Sequence, residues 1–223
     1  MTIAALAILL LTVPADAETR MATVTTASAW TLVPARSRLY VRVYRDESAL
    51  ASGLAHDHAV LATGWSGRVE VDPARPDACQ VTFDLPVGGL VPDPDDLRRA
   101  VGLPDTLSAG QRESILGHIL DEGQLWADRF PSVTWRSSTC SVQDGRVDVT
   151  GRLSIRGVGL DLTVPMSWRL DGPDLVASGR FQARATDFGF KPFTAMLGAI
   201  RNQDRMDFVV EVRGVPATPA SAP

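Results

Sequence analysis

Apolar and polar side chains alternate along most of this chain, and this period of two constrains the possible folds more than any other feature. The alternation occurs in the segments 39–44, 68–71, 80–85, 147–156, 160–168, 180–185 and 206–213. Strands with this pattern bury one face and expose the other to water. Because the strands follow one another with only one helical interruption, we predict an all-β fold, an antiparallel meander or barrel.

The helical interruption is predicted between residues 92 and 131. Ser108 is a helix N-cap candidate, and Gln111 stands at the capping-box position. The apolar residues that follow have helical spacing: Ile115, Leu116, Ile119 and Leu120. We expect this helix to lie across the barrel or to close one end. The acidic pair Asp95 and Asp96 is expected in a solvated loop.

Small residues occupy several predicted inward positions near Phe181. They are Ala177, Gly179, Ala183 and Ala185. A barrel of about eight strands has an interior that side chains just fill or that holds one small ligand. The small residues leave room for an elongated ligand, whereas Trp65, Trp135 or Trp168 could fill the same space. The residues alone leave both interiors open.

The first residues predict export. An apolar run at 3–13 is followed by Ala15-Asp16-Ala17, which fits the small-x-small cleavage rule. The run is shorter than the roughly 20 residues that span a bilayer, so we expect a soluble periplasmic or secreted protein. The predicted parts are a signal peptide, a flexible lead-in, one barrel domain and a disordered tail, at residues 1–17, 18–28, 29–214 and 215–223.

Charge and cysteine content limit the partners and the compartment. The formal net charge is −4 and Lys191 is the only lysine, so no basic stripe exists and we expect no nucleic-acid partner. The two cysteines, Cys79 and Cys140, are a disulfide candidate in an oxidising compartment.

A regular antiparallel ladder that joined Cys79 to Cys140 would also place Phe83 opposite Arg136, which mixes apolar and polar side chains on one face. A bulge around residues 137–139 would correct the register. A bridge and two unpaired, partly buried thiols both stay open.

Two of the three histidines, His56 and His58, lie where a loop enters a predicted strand. If the backbone is extended there, both imidazoles point to the same face. Three interpretations stay open: a transition-metal site, which would need a third ligand, a structural cap on the strand, and contact with a polar ligand head group. The chain has no nucleophile motif or phosphate-binding glycine loop, so we expect neither an enzyme nor a cofactor.

Loose motifs, in order along residues 29–214, resemble the YceI-like family of exported, lipocalin-like proteins. The segments that carry the resemblance are Trp30–Arg38, Gly53–His58, Gly64, Gly67, Arg112-Glu113, Phe130–Ser137, Gly151–Val158, Asp187–Phe190 and Asp204. The resemblance implies an eight-stranded, lipocalin-like antiparallel barrel whose apolar cavity takes a polyisoprenoid chain, such as the tail of a quinone. Within this order of strands, the histidine segment is expected at one end of the barrel.

The leading hypothesis is therefore a periplasmic carrier or sequestering protein for an isoprenoid lipid, with transient membrane or membrane-protein contact. The expected ligand-binding residues are Leu39, Val41, Val43, His56, His58, Val81, Phe83, Leu85, Trp135, Leu153 and Phe181. The competing hypotheses are a metal-binding or redox-partner protein centred on the two histidines, and a structural barrel with a filled core. The sequence predicts no oligomeric state.

Overall fold

The computed structural model describes residues 28–72, 75–103, 106–143 and 146–217. Its strands are β1 (Ser28–Leu32), β2 (Arg38–Arg45), β3 (His58–Ala62), β4 (Ser66–Asp72), β5 (Arg75–Pro86), β6 (Leu90–Pro92), β7 (Ser132–Gln143), β8 (Arg146–Ile155), β9 (Val158–Asp171), β10 (Asp174–Arg184), β11 (Thr194–Ala195) and β12 (Ile200–Pro216). Its α-helices are α1 (Asp95–Ala100) and α2 (Ala109–Leu120).

The strands close into an antiparallel barrel. β1 and β2 lie end to end along the same side of β12. β3 and β4 form the next bent strand, because β3 pairs with β2 while β4 pairs with β1. β5 and β6 form a third in the same way. With β7, β8, β9, β10 and β12 this gives an eight-stranded up-and-down meander, and the predicted all-β barrel of about eight strands is confirmed.

Two tight turns join successive long strands. Arg156 and Gly157 join β8 to β9 with positive φ angles of 52° and 74°. A two-residue turn with φ positive at both positions matches the right-handed twist of paired strands, and glycine adopts that conformation without steric cost. Gly172 and Pro173 join β9 to β10 in a second two-residue turn. These short connections keep successive strands adjacent and antiparallel.

The bulge predicted around residues 137–139 is present in β7. Phe83 lies opposite Trp135 across β5 and β7, so apolar side chains face each other. The pairing of β7 with β8 then shifts its register between Ser137 and Thr139. The extra residue shifts the inward–outward alternation of the side chains by one position. Cys140 therefore lines the interior, as Trp135 does, although the positions of the two residues differ by an odd number.

Cys79 and Cys140 form a disulfide that joins β5 to β7, with their Cα atoms 5.7 Å apart. The alternative of two unpaired thiols is therefore wrong. Beside the bridge, the Ser137 hydroxyl accepts a hydrogen bond from the Val81 N–H at 2.7 Å and donates to the Cys79 carbonyl. Across the bulge, a Cβ on Gly151 would lie 2.5 Å from the Arg136 carbonyl oxygen, so this close approach requires glycine.

The helix prediction is confirmed at its cap. The Ser108 hydroxyl accepts from the Gln111 N–H, and the Gln111 side chain accepts from the Ser108 N–H. Ile115 and Ile119 of α2 line the barrel interior. The helix therefore lies over one end of the barrel.

Asp95 and Asp96 are exposed to solvent as predicted, but the prediction of a loop is wrong, because both residues form the first turn of α1. Acidic side chains are favoured at a helix N-terminus by the macrodipole. Leu97 anchors the helix, since it is completely buried in a small cluster with Ala59 and Leu103. Neither α-helix in the described part of the chain is long and apolar enough to cross a bilayer.

The barrel is slightly longer than the predicted domain 29–214. Ser28, assigned to the flexible lead-in, begins β1, and residues 215 and 216, assigned to the tail, end β12. The reason is main-chain pairing, since Trp30 lies opposite Pro216. The predicted signal peptide, residues 18–27 of the lead-in and residues 218–223 of the tail lie outside the described residues.

Candidate functional site

A cavity of about 700 Å³ occupies the interior of the barrel. Such a volume lies within the range of about 300–1,000 Å³ that small-molecule sites occupy. Ten of the eleven residues expected to bind a ligand line this cavity: Leu39, Val41, Val43, His58, Val81, Phe83, Leu85, Trp135, Leu153 and Phe181. Their contact with a ligand stays a prediction.

His56 is the exception, because it is not among the residues that line the cavity. The expectation of two imidazoles on one face required an extended backbone from residue 56 to residue 58. Instead, β3 begins only at His58, and a short 3-10 turn, Ser52–Leu54, stands shortly before it. Alternation holds within a strand and fails in the loop that precedes it.

The tryptophan side chains form parts of the wall and leave the interior open. Trp65 is buried and packs on Phe83 with ring centroids 5.5 Å apart, and Trp135 lines the cavity. Trp168 also lines it but is 39% exposed, at the end where the β9–β10 turn lies. The hypothesis of a barrel with a filled core is therefore wrong.

Of the four small residues predicted at inward positions near Phe181, two line the cavity, whereas Gly179 and Ala183 are not among its lining residues. Ala177 and Ala185 line it, and Phe181 stacks on Phe208 of the neighbouring strand with centroids 4.6 Å apart and planes 4° apart. A stacked aromatic pair flat against the wall covers a large apolar area. Beside alanines, that wall suits an extended apolar chain.

Most polar residues of the cavity lie at the end that α2 covers. They are His58, His118, Gln124, Asn202 and Gln203. The His118 ring lies 4.9 Å from the Phe193 ring, which ties α2 to the hairpin of β11 and β12. The opposite end, where the β7–β8 and β9–β10 turns lie, is lined mainly by apolar residues, Val142, Trp168 and Leu170, together with Ser28 of β1. The polar side chains are therefore concentrated at one end of the cavity, and the other end is mainly apolar.

His58 belongs to a buried ionic cluster with Asp93 and Arg98. Its Nδ1 atom lies 2.6 Å from Oδ2 of Asp93. The other carboxylate oxygen, Oδ1, accepts from the Ala59 N–H at 2.9 Å and from Arg98 Nη1 at 2.8 Å. The Asp93 side chain is completely buried and that of Arg98 is 3% exposed, whereas that of His58 is 18% exposed. The cluster fixes the orientation of the His58 imidazole, which lines the cavity.

Opposing effects act on the pKa of Asp93. Burial raises the pKa, while hydrogen bonding and charge interaction with His58, and hydrogen bonds from Ala59 and Arg98, lower it. The net result is a pKa below the usual aspartate range, so Asp93 carries its charge at neutral pH. Sequence reasoning missed this residue, because Pro92-Asp93-Pro94 has the composition of a solvated turn.

Arg112 connects the cluster to α2. Its Nη1 atom donates to the Asp93 carbonyl at 3.1 Å and to the Asp95 carboxylate at 2.8 Å. The arginine that carries part of the family resemblance thus holds α2 against the start of α1. Among the described residues, no group of three or more His, Cys, Asp or Glu side chains could hold a metal ion.

Comparisons with known proteins agree with this architecture. A family model described as the YceI-like domain matches residues 30–212. BcnA of Burkholderia cenocepacia is similar in structure at 17% sequence identity, with a TM-score of 0.56, over 81% of this chain and 96% of that protein. No curated protein sequence matches the chain.

The YCEI protein of Campylobacter jejuni is also similar in structure. Its TM-score is 0.52 at 14% identity, over 71% of this chain and 84% of that protein. A mutant of the same protein, solved with a monobromobimane guest, gives a TM-score of 0.54 at the same identity and coverage. At these identities the likeness concerns the fold.

Proposed function

The chain belongs to the YceI-like family, and from that premise we propose that it is a periplasmic carrier that holds an isoprenoid lipid, such as a polyisoprenoid quinone, inside its barrel. The family and the barrel are consistent with a hydrophobic ligand in general. The proposal is narrower, since it names the class of ligand and the compartment.

The observation that carries the proposal is the division of the cavity into a long apolar part and one polar end. An isoprenoid tail has no hydrogen-bonding groups, so it suits the wall formed by Val41, Phe83, Phe181 and Phe208. Removing such a tail from water contributes about 25 cal/mol per Å² of buried apolar area. The driving force for binding thus comes from the length of the tail.

The polar end suits the ring of a quinone or another small head group. Asp93 engages Nδ1 of His58, so Nε2 is the ring nitrogen that would meet a ligand oxygen. Asn202 and Gln203 supply amide groups at the same end. A few convergent polar groups at the edge of an apolar pocket orient a ligand without contributing most of the affinity.

The direct test is organic extraction of the purified protein followed by mass spectrometry. We expect an isoprenoid lipid in the wild type and none in Phe83→Asp, because a carboxylate in the apolar wall would have to be desolvated by the tail. Phe83→Leu is the matched control and should keep the lipid. Circular dichroism establishes that each variant is folded. Unchanged lipid in a folded Phe83→Asp protein would refute the assignment of the cavity.

Elemental analysis of the same sample addresses the competing hypothesis of a metal-binding or redox-partner protein. Stoichiometric transition metal, lost in His58→Ala, would favour that hypothesis over the carrier. Export is tested separately, since the intact mass of protein from the cell envelope should correspond to a chain that begins at Glu18.

A further inference from the structure

Two loops beside the α2 end of the barrel carry exposed apolar side chains. The first follows β2 and presents Leu50 and Leu54, which are 94% and 65% exposed. The second lies between β11 and β12 and presents Met196 and Leu197, which are 64% and 109% exposed. We call these four residues the apolar tip. Side chains of this size are costly to leave in water, and clusters of them mark interaction sites.

The two loops are fastened to each other. The Ala51 N–H donates to the Ala199 carbonyl at 2.8 Å, and the Asp46 N–H donates to the Arg201 carbonyl at 2.9 Å. The Asp46 carboxylate accepts from Ser48 and from Arg201. These hydrogen bonds, first that from the Ser48 side chain and then that from Arg201, lower the pKa of Asp46 to about 2. The connection therefore persists at any physiological pH.

The backbone of the second loop is held in an unfavourable conformation that exposes its side chains. Met196 and Leu197 have φ angles of 49° and 55°, in the left-handed region that residues other than glycine and asparagine rarely adopt. Residues kept in such conformations cluster at functional sites. A loop selected only for stability would have glycine or asparagine here.

The composition and the size of the apolar tip indicate which kind of partner it binds. The segments 48–55 and 192–200 contain no charged residue. A specific protein–protein interface buries roughly 800 Å² on each partner, with about 20–30 residues. Four side chains on convex loops fall well short of that. Shallow insertion into a lipid surface requires only that a few apolar side chains leave water.

The position of the tip relates it to the cavity. Pro192 and Phe193, at the base of the second loop, line the cavity, as do Asn202 and Gln203 at the start of β12. We propose that the apolar tip inserts into a lipid bilayer and so places the α2 end of the barrel against the membrane. The purpose of this docking rests on the proposed carrier function, because a lipid could then exchange without crossing water.

Flotation with protein-free vesicles of phosphatidylethanolamine and phosphatidylglycerol tests the docking. We expect the wild type to float with the vesicles and Met196→Ser/Leu197→Ser to bind at least tenfold less. Val91→Ser is the matched control and should float as the wild type does, because Val91 is an exposed apolar residue of β6 outside the tip. Binding should persist at high salt, since apolar insertion is not screened.

The proposal is overturned if the wild type does not float, if the double serine variant floats equally well, or if salt releases the protein. Flotation only with membranes that retain their proteins would also overturn it, in favour of a protein partner. Failure of the carrier function is distinguishable: a wild type that floats but contains no lipid would refute the carrier and leave the docking intact. The double serine variant should still contain extractable lipid.

Discussion

One carboxylate oxygen of Asp93 lies 2.6 Å from Nδ1 of His58, and the other accepts a hydrogen bond from Nη1 of Arg98 at 2.8 Å. One buried acid therefore connects an imidazole of the cavity wall to α1, which packs on the outside of the barrel through Leu97 and Ala59. Removing one member of such a cluster leaves a buried charge without its partner, which costs more than the net contribution of the intact pair.

Asp93→Asn should lower the free energy of unfolding by about 3–5 kcal/mol, because the buried Arg98 guanidinium loses its ion pair with the Asp93 carboxylate. Urea denaturation at pH 7 measures this loss. The matched control is Asp95→Asn, whose ion pair with Arg112 is partly exposed and should contribute only about 0–1 kcal/mol. Equal losses in the two variants would contradict a structural role for the cluster.

The stability contributed by Asp93 should depend on pH in one direction. Burial raises its pKa, but interactions with His58, Ala59 and Arg98 hold it below the usual value. The contribution is therefore present above the unfolded-state pKa of about 3.9 and is lost as the pH falls through the lower pKa of the folded state. We expect the difference between wild type and Asp93→Asn to shrink as the pH is lowered from 5. Parallel stability curves would show that Asp93 does not titrate in this way.

The disulfide should contribute substantially to stability. Cys79 and Cys140 are separated by 61 residues. Closing a loop of this length lowers the conformational entropy of the unfolded chain, which stabilises the folded state by about 4 kcal/mol. Cys79→Ala/Cys140→Ala should lose up to that amount in chemical denaturation. A reducing agent should destabilise the wild type by a similar amount and leave the double variant unchanged. Sensitivity of the double variant to the reductant would show an effect unrelated to the bridge.

The sequence predicts the barrel wall well, because a period of two states directly which side chains share a face. The alternation predicts Val41, Phe83 and Leu153 in the interior, and all three line the cavity. Even the irregular step in β7 could be located, since a regular ladder between the cysteines conflicts with the alternation. Whether the disulfide forms depends on the distance between Cys79 and Cys140, and that distance is known only for the folded chain.

The polar end of the site could not be predicted in the same way. Asp93 and His58 are separated by 35 residues, and no local pattern links a Pro-Asp-Pro turn to a strand that lies beside it only in the folded barrel. The prediction that His56 lines the cavity is wrong for the opposite reason, because the alternation of a strand does not extend into the loop before His58. Local rules succeed within strands and fail where tertiary contacts decide the partners.

The orientation of the ligand can be tested by shortening the apolar part of the cavity. Ala177 lines the cavity and lies opposite Trp168, near the β9–β10 turn and far from His58. If the tail points toward that turn, Ala177→Phe should remove space for its last isoprene units.

Mass spectrometry of extracted lipid should then show a shift to shorter chains, or a loss of lipid of at least tenfold, with the thermal stability maintained. Ser178→Phe adds the same ring to the same strand at an exposed position and should leave the chain-length distribution unchanged. An unchanged distribution in folded Ala177→Phe would mean that the tail does not occupy this end, and would contradict the proposed orientation of the ligand.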